Sequence, residues 1–318
     1  MYSVFIEHWP YDDPGQQEVV LSSKQDIKGI HISKTLGPQE YAELWDSIHV
    51  PNDLKESLLC QSLLNFTLRP KVSRTVIPLH GVILLVGEPG TGKTSLAKGL
   101  ASKTAGLMHS KKLAYLEVEP HSLSGSALGK SQKAVTELFG QTIAEYAQGG
   151  PTFVLLDEVE TLIVARSKLS LEANPIDVHR ATDAALVQLD HLGDEYPNLL
   201  IVATSNFSQA IDSAFVSRSD AVVTVPLPDK AACKAILSDA LTGLAKTFPK
   251  VRDLVSHRDL GDVAENCVGM DGRQIRKMIA VGCTFSRETA ADPNKLTISD
   301  LRRAAEKSLK EKKRMAAA

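Results

Sequence analysis

Long apolar runs are missing from this chain. The longest, at 82–86 and 199–203, are one strand in length, whereas a membrane-spanning helix needs about 20 apolar residues. Residues 1–8 lack a basic segment followed by an apolar one, so no secretory signal is read there and a cytoplasmic protein without a membrane partner is expected. Cysteine is sparse. Cys60, Cys233, Cys267 and Cys283 are far apart and form no C-x-x-C pair, which argues for reduced thiols and against a disulfide framework or a zinc site. Excess charge of one sign is also absent. Lys and Arg total 36 and Asp and Glu 38, a net of -2, so no global field draws the chain to nucleic acid or lipid. Internal repeats, low-complexity tracts and the H-E-x-x-H pattern of zinc proteases are not found either.

What the 318 residues do carry is apolar mass, 43% of the chain, enough for one large or two modest domains. Short runs that are apolar on both faces predict buried parallel strands at 82–86, 113–118, 153–156, 199–203 and 221–225. Helical spacing recurs between them: Leu96, Ala97, Leu100 and Ala101 in 94–105; Val135, Leu138, Phe139, Ile143 and Tyr146 in 133–146; Ala185, Leu186 and Leu189 in 182–192. This alternation predicts an α/β fold, a five-stranded parallel sheet with helices on both faces. Pro226-Leu-Pro228-Asp229 ends it. Beyond lie helical patterns at 230–247, 259–266, 272–286 and 299–314, the last capped by Thr297 or Ser299. The expected organisation is a short N-terminal extension at 1–36, alternating but without a clear core. A large α/β domain follows at 37–228, opening with two helices around Val50-Pro51-Asn52-Asp53, and then a small helical domain at 229–318. The basic run Lys310-Glu-Lys-Lys-Arg314 reads as a solvated helix end favoured by the helix dipole.

Gly87-Glu88-Pro89-Gly90-Thr91-Gly92-Lys93-Thr94, with Ser95 following, matches G-x-x-x-x-G-K-[ST] between an apolar run and a helical one. The chemistry accounts for the residue types. Glycines let backbone N–H groups curl around phosphates, and the following helix N-terminus favours negative charge. Lys93 is expected to bridge the β- and γ-phosphates and Thr94 to ligate Mg2+, so ATP and Mg2+ are the expected cofactors. Phe153-Val-Leu-Leu-Asp157-Glu158 ends an apolar strand in two carboxylates. Asp157 is suited to hold the metal through water, and Glu158 to orient the attacking water. A further run ends in Thr204-Ser205-Asn206. Asn206 is there either a turn residue or a partner of the attacking water or γ-phosphate. Arg218, in Val216-Ser-Arg-Ser-Asp220, and Arg273, at the start of a predicted helix, read singly as surface charges. Taken with the P-loop order, they read as stabilisers of phosphoryl-transfer charge.

P-loop, acidic strand end, asparagine, first arginine and second arginine, in that order, resemble an AAA+ ATPase with a C-terminal α-helical lid, over residues 36–310. Finer motifs are similar to the pachytene-checkpoint AAA+ family, remodellers of HORMA-domain proteins. They are Leu44-Trp45-Asp46-Ser47-Ile48, His121-Ser122-Leu123, Leu156-Asp-Glu-Val-Glu160-Thr-Leu162, Thr204-Ser-Asn206-Phe and Phe215-Val216-Ser-Arg218-Ser-Asp220. The resemblance implies a homohexameric ring with ATP between subunits. Arg218 would reach the neighbour's γ-phosphate, a contact worth about 10³–10⁵ in rate, and Arg273 would sense nucleotide from the lid. Pore loops would grip an extended N-terminal segment of a HORMA protein and convert its closed state to an open one. The resemblance places Ser126, Ala127 and Leu128 in that pore loop. The family's aromatic is missing there, and 124–129 also reads as a flexible Gly/Ser loop.

Residues 1–36 are too short for the N-terminal domain of eukaryotic relatives. The compact form resembles bacterial members found with HORMA proteins and a cyclic-nucleotide synthase in anti-phage systems. That likeness implies a HORMA substrate and a nucleotidyltransferase as indirect partner, the remodeller dismantling their complex and restraining signalling. Two other readings stay open: a eukaryotic-type checkpoint or meiotic HORMA remodeller, and a nucleic-acid-associated AAA+ machine, for which only 310–314 offers a basic element. Glu158, Asn206 and Arg218 argue against a scaffold that uses ATP only to assemble.

Overall fold

The computed structural model describes residues 29–108, 112–123, 130–164, 175–207 and 211–317. They divide into two compact units. The first holds residues 29–45, Asn52–Val86 and Thr94–Thr224; the second holds Asp46–Pro51, Gly87–Lys93 and 225–317.

The strands are β1 (Ile30–Leu36), β2 (Val82–Val86), β3 (Leu113–Val118), β4 (Thr152–Leu156), β5 (Leu199–Ser205) and β6 (Ala221–Thr224). They form one sheet in the order β1-β3-β4-β5-β2-β6. Every residue of β2, β4 and β5 is buried, which is why these strands read as unbroken apolar runs. Five strands are parallel, but the five-stranded sheet expected from sequence is corrected to six. β1 pairs antiparallel with β3 at the edge. Its residues alternate between half-buried and exposed, so its pattern shows only one covered face, and the pairing that orders it comes from a distant strand.

In parallel register, Val86 lies opposite Ser205, and Leu156 opposite Ala203. Three adjacent central strands therefore end on the same edge, the one from which ligand-binding loops emerge in open α/β sheets. The first helices are α1 (Ala42–Ser47), α2 (Asn52–Leu68), α3 (Lys93–Leu107), α4 (Lys130–Glu137), α5 (Ala144–Gly149), α6 (Pro175–Glu195) and α7 (Ser213–Arg218). The single helix predicted at 133–146 is split: Leu138–Ile143 forms a π-helical turn between α4 and α5. Phe139, Ile143, Leu186, Leu189 and Phe215 pack with the strands in one buried cluster, each contributing about 1.5–3 kcal/mol on burial.

Two side chains clamp the entries to the neighbouring strands β2 and β5. The Asp220 carboxylate accepts the backbone N–H groups of His80 (2.7 Å), Gly81 (2.7 Å) and Val82 (3.1 Å). The buried Arg69 guanidinium donates to the carbonyls of Leu199, Gly193 and Tyr196. Burial pushes Arg69 down to about 10, with Asp220 opposing the shift.

In the second unit, helices α8 (Lys230–Ala245), α9 (Arg252–Val255), α10 (Leu260–Asn266), α11 (Gly272–Cys283), α12 (Arg287–Ala291) and α13 (Ile298–Ala317) surround Leu237, Leu241, Val263, Met270, Met278 and Leu301, all fully buried. Several of their starts carry side-chain caps. Asp271 and Gln274 form a reciprocal capping box on α11. Of the two candidates for α13, Thr297 is the cap: its hydroxyl accepts the Asp300 N–H at 3.2 Å, and its own N–H donates to Asp300 Oδ2 at 3.0 Å.

Candidate active site

Within the second unit, the P-loop is a tight cradle. Gly90 and Gly92 take φ of 82° and 93°, a left-handed conformation that favours glycine. A Cβ on Gly90 would fall 2.2 Å from Asp271 Oδ1, and one on Gly92 2.5 Å from Ile48 Cδ1. Glu88 and Pro89 are exposed and Thr91 is buried. The Thr91 hydroxyl donates to the Glu88 carbonyl at 2.9 Å. Lys93 Nζ donates to the carbonyls of Gly87 (2.9 Å) and Glu88 (3.0 Å). The lysine thus reaches back over its own loop, where phosphate oxygens could replace those carbonyl contacts. Arg273 is exposed in the first turn of α11, behind the Asp271 cap.

Within the first unit, Thr94 and Ser95 open α3 beyond Lys93. The Thr94 hydroxyl donates to Asp157 Oδ1 at 2.8 Å. A second hydroxyl, that of Thr204 on β5, donates to the same oxygen at 2.5 Å and accepts the Glu158 N–H at 3.1 Å. Glu158 has φ 53° and ψ 52°, the one non-glycine in the left-handed region among the described residues. Holding it there costs about 1–2 kcal/mol, a local strain of the kind that marks functional positions. Its carboxylate is half exposed, with His121 Nε2 at 3.1 Å and Asn206 Nδ2 at 3.3 Å from its two oxygens. The Asn206 N–H donates to Glu160 Oε1 at 3.0 Å. Threonine hydroxyl and aspartate carboxylate are hard oxygen donors, the set Mg2+ prefers. The residues present therefore fit both a polyphosphate and its metal.

Arg218 is engaged elsewhere. Its Nε and Nη2 donate to both Asp190 oxygens on α6 at 2.8 and 2.7 Å, and Nη1 donates to the Ala214 carbonyl at 2.8 Å. That bidentate bond raises the Arg218 pKa and holds the Asp190 carboxyl below its usual range. His80 Nε2 lies 3.7 Å from Asp190; burial first, then Arg74, lowers the His80 pKa. Ser126, Ala127 and Leu128 lie outside the described residues.

The geometry brings Thr94 to Asp157 and Asn206 to Glu158. Sequence reading assigned no role to Thr204, His121, Glu160 or Asp190. The first three stand in motifs noted only for resemblance; nothing in the sequence singles out Asp190 among the carboxylates of α6.

The family model described as "ATPase family associated with various cellular activities (AAA)" matches residues 83–227. The chain is 60% identical over 277 residues to CD-NTase-associated protein 6 of Pseudomonas aeruginosa, covering 87% of this chain and 91% of that protein. It is 32% identical over 302 residues to the pachytene checkpoint protein 2 homolog of Gallus gallus, covering 87% of this chain and 68% of that one. Among solved structures, the E. coli MS115-1 HORMA:CdnC:Trip13 complex matches with a TM-score of 0.66 at 17% identity, over 90% of this chain and 97% of that chain. These matches define an AAA ATPase: a mixed α/β domain followed by helices, built to hydrolyse ATP. The chain belongs to the AAA family group that contains CD-NTase-associated protein 6 and the pachytene checkpoint protein 2 homologs.

Proposed function

We propose that this ATPase remodels a HORMA-domain protein and, through it, dismantles a complex with a cyclic-nucleotide synthase, restraining anti-phage signalling in the cytoplasm. The observation that carries the reading is the match along 91% of a relative named for association with a CD-NTase. The HORMA:CdnC:Trip13 complex, similar in fold, supports the choice of partners.

Residues 87–95 would hold ATP, with Thr94 and Asp157 as the Mg2+ side and Lys93 on the phosphates. The bound metal would neutralise phosphate charge. Glu158, steadied by Asn206 and His121, would accept the proton of the attacking water. Arg218 would act in trans in a homohexamer, leaving Asp190 for a neighbour's γ-phosphate, and Arg273 would report nucleotide to the lid at 229–318. The loop at Ser126, Ala127 and Leu128 would grip substrate with modest apolar area. Among the described residues, no helix is long and apolar enough to cross a membrane.

The test is release of a bound peptide from a closed HORMA protein. With ATP, the wild type should empty the complex and Glu158→Gln should bind nucleotide without releasing peptide. Active hydrolysis with no release would sink the HORMA reading while leaving the ATPase intact.

A further inference from the structure

The basic run at the end of α13 is not a free solvated tail. Lys312 Nζ donates to Glu88 Oε2 at 3.2 Å and to the Gly269 carbonyl at 2.7 Å. Its side chain is only 25% exposed, against 57% for Glu88. Both contacts fall on segments that frame the phosphate cradle. Glu88 is the first variable residue of the P-loop, and its carbonyl receives both Lys93 Nζ and the Thr91 hydroxyl. Gly269, at φ 93°, opens the turn that leads to Asp271, which sits against Gly90 and caps the helix carrying Arg273.

A carboxylate in a phosphate-binding loop is a liability, since it repels the polyphosphate it sits beside. We propose that Lys312 is a positioning residue for ATP binding: it neutralises Glu88, draws its carboxylate toward the Gly269 turn, and so leaves the loop's N–H groups to the phosphates. The inference rests on the P-loop reading of residues 87–94. Lys312 acts through Glu88 and does not touch the reacting atoms, so its loss weakens binding while leaving turnover at saturation in place. The pair is partly exposed, so the effect is about two- to fivefold in affinity.

The experiment uses the full chain, a fluorescent ATP analogue for Kd and phosphate release for kcat. Lys312→Ala should raise Kd about two- to fivefold with kcat within about 1.5-fold, and Lys312→Arg should restore Kd. Glu88→Gln should make Lys312 dispensable, so that the double variant binds within about 1.5-fold of Glu88→Gln alone. Unchanged Kd in Lys312→Ala overturns the proposal. So does an equal loss with and without Glu88, which is what simple helix packing would give. Lys312→Gln serves as a second variant should the alanine protein fold poorly. Lys93→Ala is the separate control. If it binds ATP normally, the P-loop reading itself falls, whatever Lys312 does.

Discussion

Replacing Thr204 with valine is the sharpest probe of how the Asp157 and Glu158 carboxylates are held. The side chains are nearly isosteric, so packing in β5 is kept and only the hydroxyl is lost. That hydroxyl makes two bonds, a donation to Asp157 Oδ1 at 2.5 Å and an acceptance from the Glu158 N–H at 3.1 Å. The first, to a carboxylate, is worth about 1.5–3 kcal/mol; leaving the Glu158 N–H without its acceptor costs about 1 kcal/mol or more. A stability loss of about 2–4 kcal/mol follows, which lowers the melting temperature by about 5–12 °C for a unit of this size. The larger consequence is catalytic. Glu158 stays left-handed against about 1–2 kcal/mol of strain, and the Thr204 bond is one restraint on it. If that restraint goes, the Glu158 carboxylate shifts, and a displacement near 1 Å costs on the order of 10²-fold in rate. Steady-state phosphate release should therefore show kcat down about 10- to 100-fold for Thr204→Val, with nucleotide affinity much less affected. Thr204→Ser keeps the hydroxyl and should stay within about threefold of wild type. A valine variant with normal kcat, or a serine variant as impaired as valine, would refute the argument.

Further expectations concern the frame around the site. Asp220→Ala strands three backbone N–H groups at the start of β2 and should destabilise by about 3 kcal/mol or more, read by urea or thermal unfolding. Asp190 is held below its usual carboxyl range, chiefly by its bond to Arg218. Its contribution is therefore present above about pH 4 and lost as pH falls through the lowered folded value. The stability gap between wild type and Asp190→Asn should hold above about pH 4 and close as pH falls below it, as followed by denaturant midpoints. Burial pushes the Cys233 and Cys267 thiols up to about 11 and about 12, whereas Cys60 is exposed. A thiol reagent at pH 8 should label Cys60 first and leave the two buried thiols unmodified until the protein unfolds.

The amino-acid sequence by itself determined the parts whose chemistry is local. The P-loop needs glycine where φ is positive and lysine at its end, so its register is written into eight consecutive residues. The central strands are buried on both faces, so they read as unbroken apolar runs, and the polar residues that end them mark the edge of the sheet. Helix caps such as Asp271 with Gln274 are equally local. What tertiary structure alone decided was pairing across distance. Only folding shows that residues 30–36 close the sheet, because an edge strand signals half its burial and nothing of its partner. The same holds for Thr204 serving Asp157 and Glu158 together, for Asp190 engaging two guanidinium nitrogens of Arg218, and for a lysine in a charged helix end meeting Glu88. A side chain's type limits what it can bond. Which group it meets is set by strands and helices brought together from far along the chain, and hydrophobic periodicity carries no record of that.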